Sequence, residues 1–288
     1  MKDYKKKLKE YESLNVAFIN HDWGQNATNL YNQVVKLWNK LEVGGKIVII
    51  SYKKLGIKSA TNLLKRKGVT PKIVGKGKDN LRMVEIDKDT DRQLEKVDTK
   101  KPITFNFNNT EYTVNAGDAI FSKTNLDVGT RFLLDVVFSE EIDFNHKKIA
   151  DFGSGWGAIS LILAAEFPKC EISAYEKDEG SIEISQTNLQ SYSNVRIIKT
   201  DLTNPEAVEL IPNEAKLDYI ISNPPFHINK EQRAEIFSNA HRLLKNEGEL
   251  FFLAEGNFVG RFREAVKQRF AIIEEKESGR YVVFRCKK

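Results

Sequence analysis

The chain has 288 residues, 41% hydrophobic and 30% charged, with a formal net charge of +5. That balance reads as a soluble globular protein of one large or two modest domains, and no run approaches the ~18 apolar residues of a membrane helix. Cys170 and Cys286 lie far apart without metal-ligand spacing, so a reduced, cytoplasmic protein without a metal is expected.

Charge is spread unevenly. Residues 1–101 carry 23 Lys and Arg against 12 Asp and Glu, whereas residues 102–288 carry 22 against 28. A basic front on an acidic rear points to a polyanionic partner held by the front. The lysine-rich stretch from Met1 to Glu12 has no apolar segment behind it. It reads as a frayed or helical lead-in, not a secretory signal.

From Asn29, Leu30, Val34, Leu37, Trp38 and Leu41 recur at helical spacing, and Gly44-Gly45 stops the helix. The unbroken apolar run Ile47–Ile50 predicts a strand covered on both faces. A second helix carries Ile57, Ala60, Leu63 and Leu64, and strands follow over 69–74 and 81–86. The charged, core-poor stretch from Asp87 to Pro102 reads as a linker. It divides the chain into domains 1–98 and 99–288.

Residues 103–107 and 112–114 alternate about Asn108-Asn109, as a hairpin does. A helix with Phe132, Leu133, Val136 and Val137 on one side comes next. Strands over 149–152, 171–175, 195–199 and 217–222 then alternate with helices over 158–167, 181–189 and 230–244, with a short helix over 206–210. A strand at 249–254, a helix at 258–270 and strands at 271–275 and 281–285 complete the chain. The fold class is α/β: a Rossmann-like, doubly wound sheet with a C-terminal antiparallel hairpin. The helix–strand–helix–strand–strand order of the front recurs at the end, at an offset of 203, with Leu41…Gly45 matching Leu244…Gly248. The front lacks any counterpart of the glycine-rich turn described next, so it is read as half of a duplicated fold, unable to hold a cofactor alone.

Chemistry concentrates at strand ends. Asp151-Phe152-Gly153-Ser154-Gly155-Trp156-Gly157 joins a strand to a helix, and its alternating glycines permit a tight turn and close approach to a ligand. The spacing is not the G-x-G-x-x-G of dinucleotide sites. Asp151 would repel a pyrophosphate and favours a ligand bearing an ammonium. Glu176 is placed for ribose hydroxyls and Asp201 for an adenine amino group. Asn223-Pro224-Pro225-Phe226-His227 caps the strand at 217–222. The prolines keep Asn223 extended with its amide outward. Pro224 adds a carbonyl and Phe226 a flat apolar face. That set suits a planar group with an exocyclic amine.

These motifs, with Phe121-Ser122 and Leu126-Asp127-Val128-Gly129-Thr130, resemble those of class I S-adenosylmethionine-dependent methyltransferases. More narrowly, they resemble the ribosomal RNA guanine-N2 methyltransferases, the small-subunit methyltransferase C type and its large-subunit relative. The resemblance covers most of residues 103–288. The front is similar to that family's vestigial N-terminal half, but shorter, and the loop departs from many relatives at Ser154 and Trp156. The resemblance implies S-adenosyl-L-methionine held by Asp151, Gly153, Gly155, Gly157, Glu176, Asp201, Asn223 and Thr130. It implies catalysis by Asn223, Pro224 and Phe226, with Pro225, Phe226, His227 and Phe121 on the substrate side. The expected partner is ribosomal RNA, 16S rather than 23S, or the small ribosomal subunit, and a monomer is expected. An RNA adenine-N6 or protein glutamine-N5 methyltransferase would use the same tip. A non-catalytic RNA-binding or ribosome-assembly protein would not need Asp151, Glu176 and Asn223 intact.

Overall fold

A computed structural model describes residues 16–21, 27–97, 102–115, 126–204 and 216–288. The lead-in at Met1–Glu12, Phe121 with the start of its motif, and the expected helix at 206–210 lie outside the described residues. The chain divides into two compact units, Met1–Lys100 and Lys101–Lys288.

In the first unit, β1 (Val16–His21), α1 (Ala27–Trp38), β2 (Lys46–Tyr52), α2 (Ile57–Arg66), β3 (Lys72–Lys76) and β4 (Leu81–Asp87) follow one another. The sheet order is β1-β2-β4-β3, with β1 parallel to β2 and the other pairs antiparallel. The helical spacing of α1 and α2 brings Leu30, Tyr31, Val34, Trp38, Ala60 and Leu64 onto Ile47, Ile49, Val84 and Ile86 in one core. Strand β1 was not expected from the sequence. Its apolar run is only Val16–Ile19, and it is defined by its register on β2, Val16 opposite Lys46 through His21 opposite Ser51.

The stretch after β4 differs from the expected core-poor linker. Leu94 is buried, and the backbone at 92–97 is satisfied by side chains of the α1 region. Asn39 brackets Leu94 (Nδ2 to its carbonyl 2.8 Å, Oδ1 from its N–H 2.9 Å), and Asn32 does the same for Val97 at 3.0 and 2.9 Å. Trp38 Nε1 donates to the Arg92 carbonyl at 2.7 Å. Two asparagines thus replace a neighbouring strand as the source of backbone partners.

The second unit opens with the hairpin β5 (Pro102–Phe107) and β6 (Thr110–Asn115), whose turn residues Asn108 and Asn109 both have positive φ, as a two-residue hairpin loop of matching twist requires. Then come α3 (Val128–Ser139), β7 (Lys148–Phe152), α4 (Ala158–Glu166), β8 (Glu171–Glu176), α5 (Glu179–Leu189), β9 (Val195–Lys199), β10 (Leu217–Ser222), α6 (Lys230–Leu243), β11 (Leu244–Glu255), α7 (Val259–Val266), β12 (Ala271–Ser278) and β13 (Tyr281–Lys287). The sheet order is β12-β13-β11-β10-β7-β8-β9, parallel from β11 to β9, with β13 antiparallel to both its neighbours. One face packs on the hairpin, α3 and α4 through residues such as Phe105, Leu133, Ile162 and Ile221. The other packs on α6 and α7 through Phe152, Phe237, Phe252 and Phe262.

The internal echo is topological and reaches one strand further than the sequence suggested. β1-α1-β2-α2-β3-β4 has the connectivity and sheet order of β10-α6-β11-α7-β12-β13. The described residues of the first unit therefore correspond to the second half of the larger sheet and include no equivalent of β7.

Candidate functional site

The chain leaves β7 toward β8 on one side, while β10 returns on the other. Such a switch point opens a crevice at the carboxyl ends of the strands. Register places Asp151 opposite Ile221 and Phe152 opposite Ser222, and the Ser222 hydroxyl donates to the Phe152 carbonyl at 2.9 Å. The glycine loop after β7 and the Asn223 tip after β10 are therefore brought side by side.

Asp151 is fully buried. Its Oδ2 accepts from the Ser160 backbone N–H at 3.1 Å and hydroxyl at 2.7 Å, while Oδ1 is buried without a partner. Burial pushes this carboxyl up to about 7; the Ser160 bonds pull against that, and the charge of Glu176 adds to it. The hydroxyl of Ser154 is also buried without a partner. Gly153 and Gly155 have φ of +73° and +55°, and a Cβ on either would meet nothing within 4 Å. Two orphaned oxygens beside open backbone fit a polar, cation-bearing ligand such as the amino-acid part of S-adenosylmethionine.

Gly157 also serves packing. A Cβ there would press on Leu189 at 2.9 Å, so this glycine lets α4 pack on α5. Glu176 Oε1 accepts from the N–H groups of Lys177 (2.7 Å) and Asp178 (2.8 Å), and its Oε2 from Gly155 N–H at 2.9 Å. The carboxylate is folded back onto the glycine loop. Asp201 accepts from the Thr203 backbone (3.0 Å) and hydroxyl (2.6 Å) and lies 3.7 Å from Lys177 Nζ. Burial raises this carboxyl, but the Thr203 bonds and the lysine outweigh it and hold the group below its ordinary range.

Thr130 lies under the tip. Asp127 caps α3, its Oδ2 accepting from Thr130 N–H at 2.8 Å and from Thr130 Oγ1 at 3.1 Å. Asn223 Nδ2 donates to Thr130 Oγ1 at 2.9 Å and toward Asp127 Oδ2 at 3.4 Å. This hydroxyl, expected on the cofactor, is engaged in holding Asn223. Pro224 is buried, Pro225 and His227 are exposed, and Phe226 is half-buried. The Phe226 ring is stacked on Phe258 (6.3 Å, 21°) and meets Phe262 edge-on (6.3 Å, 80°). Arg233 in α6, itself buried, donates to the Ile228 carbonyl at 2.5 Å and lies 5.8 Å over Phe262, which ties the tip to this aromatic floor.

Sequence reasoning missed Ser160, Asn188 and Phe258, and named Asp127 within its motif without a role. Asn188 Nδ2 donates to the carbonyls of Trp156 (3.0 Å) and Asn115 (2.8 Å), and its Oδ1 accepts from Asn115 N–H at 2.8 Å. It clamps the glycine loop to the end of the hairpin. Of these, only Asp127 had a local signal, an N-cap Asp three residues before Thr130. Among the described residues no group of three or more His, Cys, Asp or Glu could hold a metal ion, and no helix is long and apolar enough to cross a membrane.

Comparison with known proteins agrees with this architecture. The ribosomal RNA small subunit methyltransferase C of Acinetobacter baylyi is 30% identical over 220 residues, covering 74% of this chain and 62% of that protein. The ribosomal RNA large subunit methyltransferase G of Psychromonas ingrahamii is 27% identical over 197 residues, covering 65% and 48%. The uncharacterized protein YbxB of Bacillus subtilis is 29% identical over 159 residues, covering 54% and 75%. The chain thus spans less than two thirds of either named methyltransferase. Among solved structures, the Thermus thermophilus 16S rRNA N2 G1207 methyltransferase RsmC, in complex with AdoMet and guanosine, aligns with a TM-score of 0.77 at 19% identity, covering 95% of this chain and 73% of that one. The family model for the methyltransferase small domain matches residues 111–285, from the second strand of the hairpin through β13, so glycine loop, tip and inserted last strand all fall inside it: the chain belongs to the methyltransferase small domain family.

Proposed function

We propose that the protein is an S-adenosylmethionine-dependent methyltransferase acting on the exocyclic N2 amine of a guanine in ribosomal RNA, 16S rather than 23S, in the cytoplasm. The observation that carries this reading is the anchoring of Asn223. Its amide nitrogen is held by Thr130 and Asp127, which leaves its oxygen as the acceptor beside the loop that carries Asp151. When bound, S-adenosylmethionine supplies an electrophilic methyl group on a sulfonium. Asp151 Oδ1 and Ser154 Oγ are the unpaired oxygens available to its amino-acid part, Glu176 to its ribose and Asp201 to its adenine amine.

A guanine amine is a poor nucleophile because its lone pair is delocalised into the ring. Asn223 Oδ1 and the Pro224 carbonyl accept its two N–H groups and turn the lone pair out of that conjugation. The open face of Phe226 stacks on the base, a contact of about 1–3 kcal/mol. Pro225 and His227 border it, and Phe121 belongs to the same side by its motif. Positioning supplies most of the acceleration. No strong base is needed, because the nitrogen becomes acidic once alkylated and its proton can pass to solvent. In structured RNA the base must be unstacked to arrive.

Asn223→Ala is expected to lower methyl transfer at least 100-fold, about 2.7 kcal/mol, with cofactor affinity within several-fold. Tritiated transfer to rRNA, tRNA and protein, with calorimetry of cofactor binding, checks this. Near wild-type transfer would remove the tip from the mechanism, and transfer to protein alone would favour a glutamine-N5 enzyme. The basic first domain, residues 1–98, is proposed to hold RNA. Charge reversal at Lys58, Lys65 and Lys67 should flatten the salt dependence of RNA binding, since counterion release scales with phosphate contacts. An unchanged slope rejects that role.

A further inference from the structure

The outer side of the tip carries a second, unassigned group. Phe258 ends the short turn Gly256–Phe258 that follows β11. Its half-buried ring is near-parallel to Phe226 at 6.3 Å and meets His227 edge-on at 5.0 Å, 80°. A centroid separation of 6.3 Å lies in the range of direct offset contact, about 4.5–7 Å. The two rings therefore brace each other, and a base must use the opposite face of Phe226.

The Arg261 guanidinium lies over Phe258, 5.9 Å from the ring centroid. Arg261 is exposed and forms no ion pair among the described residues. The neighbouring arginines are engaged. Arg263 is paired with Glu275 at 2.6 Å, Arg280 with Glu255 at 3.0 Å, and Arg131 donates to the Asn106 carbonyl at 2.8 Å. Arg261 thus combines an aromatic platform with a charge that no carboxylate matches among the described residues, on the ring that touches Phe226 of the tip; Arg131, which also lies over a ring without a carboxylate, rests on Phe107 of the hairpin instead.

We propose that Arg261, resting on Phe258, binds a phosphodiester group of the RNA flanking the target nucleotide. This rests on the reading of the protein as an RNA methyltransferase. A guanidinium laid flat on a ring keeps its N–H fork at the edge, free to grip two phosphate oxygens. Contact with the ring narrows the side chain's freedom before RNA arrives, so less is lost on binding. A protein substrate would bring no regular anion to that point.

The test compares wild type with Arg261→Gln and Arg261→Lys. Binding to deproteinised 16S ribosomal RNA is measured across salt concentrations, and methyl transfer is measured in parallel. Arg261→Gln should weaken RNA binding about tenfold, reduce the slope of log K against log salt by about one, and raise the KM for RNA far more than it lowers kcat. Arg261→Lys should recover the slope but only part of the affinity. Cofactor affinity should not move in either variant. An unchanged slope and KM in Arg261→Gln overturns the inference even if wild type methylates RNA. Failure of wild type to methylate any RNA, with the slope still changing in Arg261→Gln, keeps the phosphate contact and overturns the proposed reaction instead.

Discussion

The amide nitrogen of Asn223 donates to the hydroxyl of Thr130 at 2.9 Å, joining residues 93 positions apart. Because Thr130 in turn donates to Asp127, the hydroxyl can only accept from Asn223. That order decides which end of the amide is nitrogen and which is oxygen. The helix cap of α3 therefore orients the group proposed to steer the nucleophile.

Thr130→Val keeps the shape and removes that acceptor. One lost hydrogen bond of about 1–1.5 kcal/mol corresponds to roughly a tenfold loss. Transfer should fall by that factor while cofactor affinity stays within twofold. Parallel kcat and calorimetric measurements check it. The reverse result, weaker cofactor binding with kcat intact, would restore Thr130 to the cofactor side.

Asp151 predicts a pH signature with a definite sign. Its folded-state value is raised to about 7, chiefly by burial, above an unfolded value of about 3.9. Below pH ~4 both states are protonated and the carboxyl costs nothing. Between pH ~4 and 7 only the folded state holds the proton, so stability falls as pH rises, by about 1.4 kcal/mol per unit. Asp151→Asn should lack this slope, as seen in urea midpoints of the cofactor-free protein from pH 4 to 8. An ammonium-bearing ligand wants the carboxylate, so wild-type cofactor affinity should rise through pH 7, whereas that of Asp151→Asn should stay low and flat. A common slope in both proteins would deny Asp151 the buried, raised carboxyl described.

The glycines of the loop should separate by phenotype. Gly157→Ala combines a φ of +90° with overlap on Leu189, and should destabilise the fold by roughly 2–4 kcal/mol. Gly153→Ala has φ +73° but open space around its new methyl. It should cost only about 1–2 kcal/mol of strain while reducing cofactor affinity. Denaturation midpoints and calorimetry on the two variants distinguish packing from ligand clearance.

What the sequence made legible was local. The run Ile149–Phe152, the Asp151–Gly157 loop and the Asn223–Phe226 tip each declare themselves within seven residues, through apolar patterning, glycine spacing or paired prolines. What it hid was relational. Strand β1 became visible only by its partner β2, although extending the internal echo upstream would have aligned it with β10. The strap at 92–97 looked like a linker because two asparagine side chains, not a pattern, satisfy its backbone. Glu176 and Gly157 have the right residue types at the right strand end, yet one carboxylate turns back on its own loop and one glycine serves a helix contact. Asn188 carries no mark at all, since its three bonds join elements far apart in the chain.

The placement of β13 between β11 and β12 has a bearing on biosynthesis. The last strand of this sheet in chain order is not at its rim. Until Tyr281–Lys287 emerges from the ribosome, β11 presents an unpaired margin bearing Phe251 and Phe252, residues that end fully enclosed. Such a margin invites pairing with another nascent chain. The finished rim, β12, reads Glu274-Glu275-Lys276-Glu277 and is poorly suited to that. A product stalled or cleaved a few residues before Tyr281 should therefore precipitate in the cell, whereas one that has added this last stretch should remain dispersed.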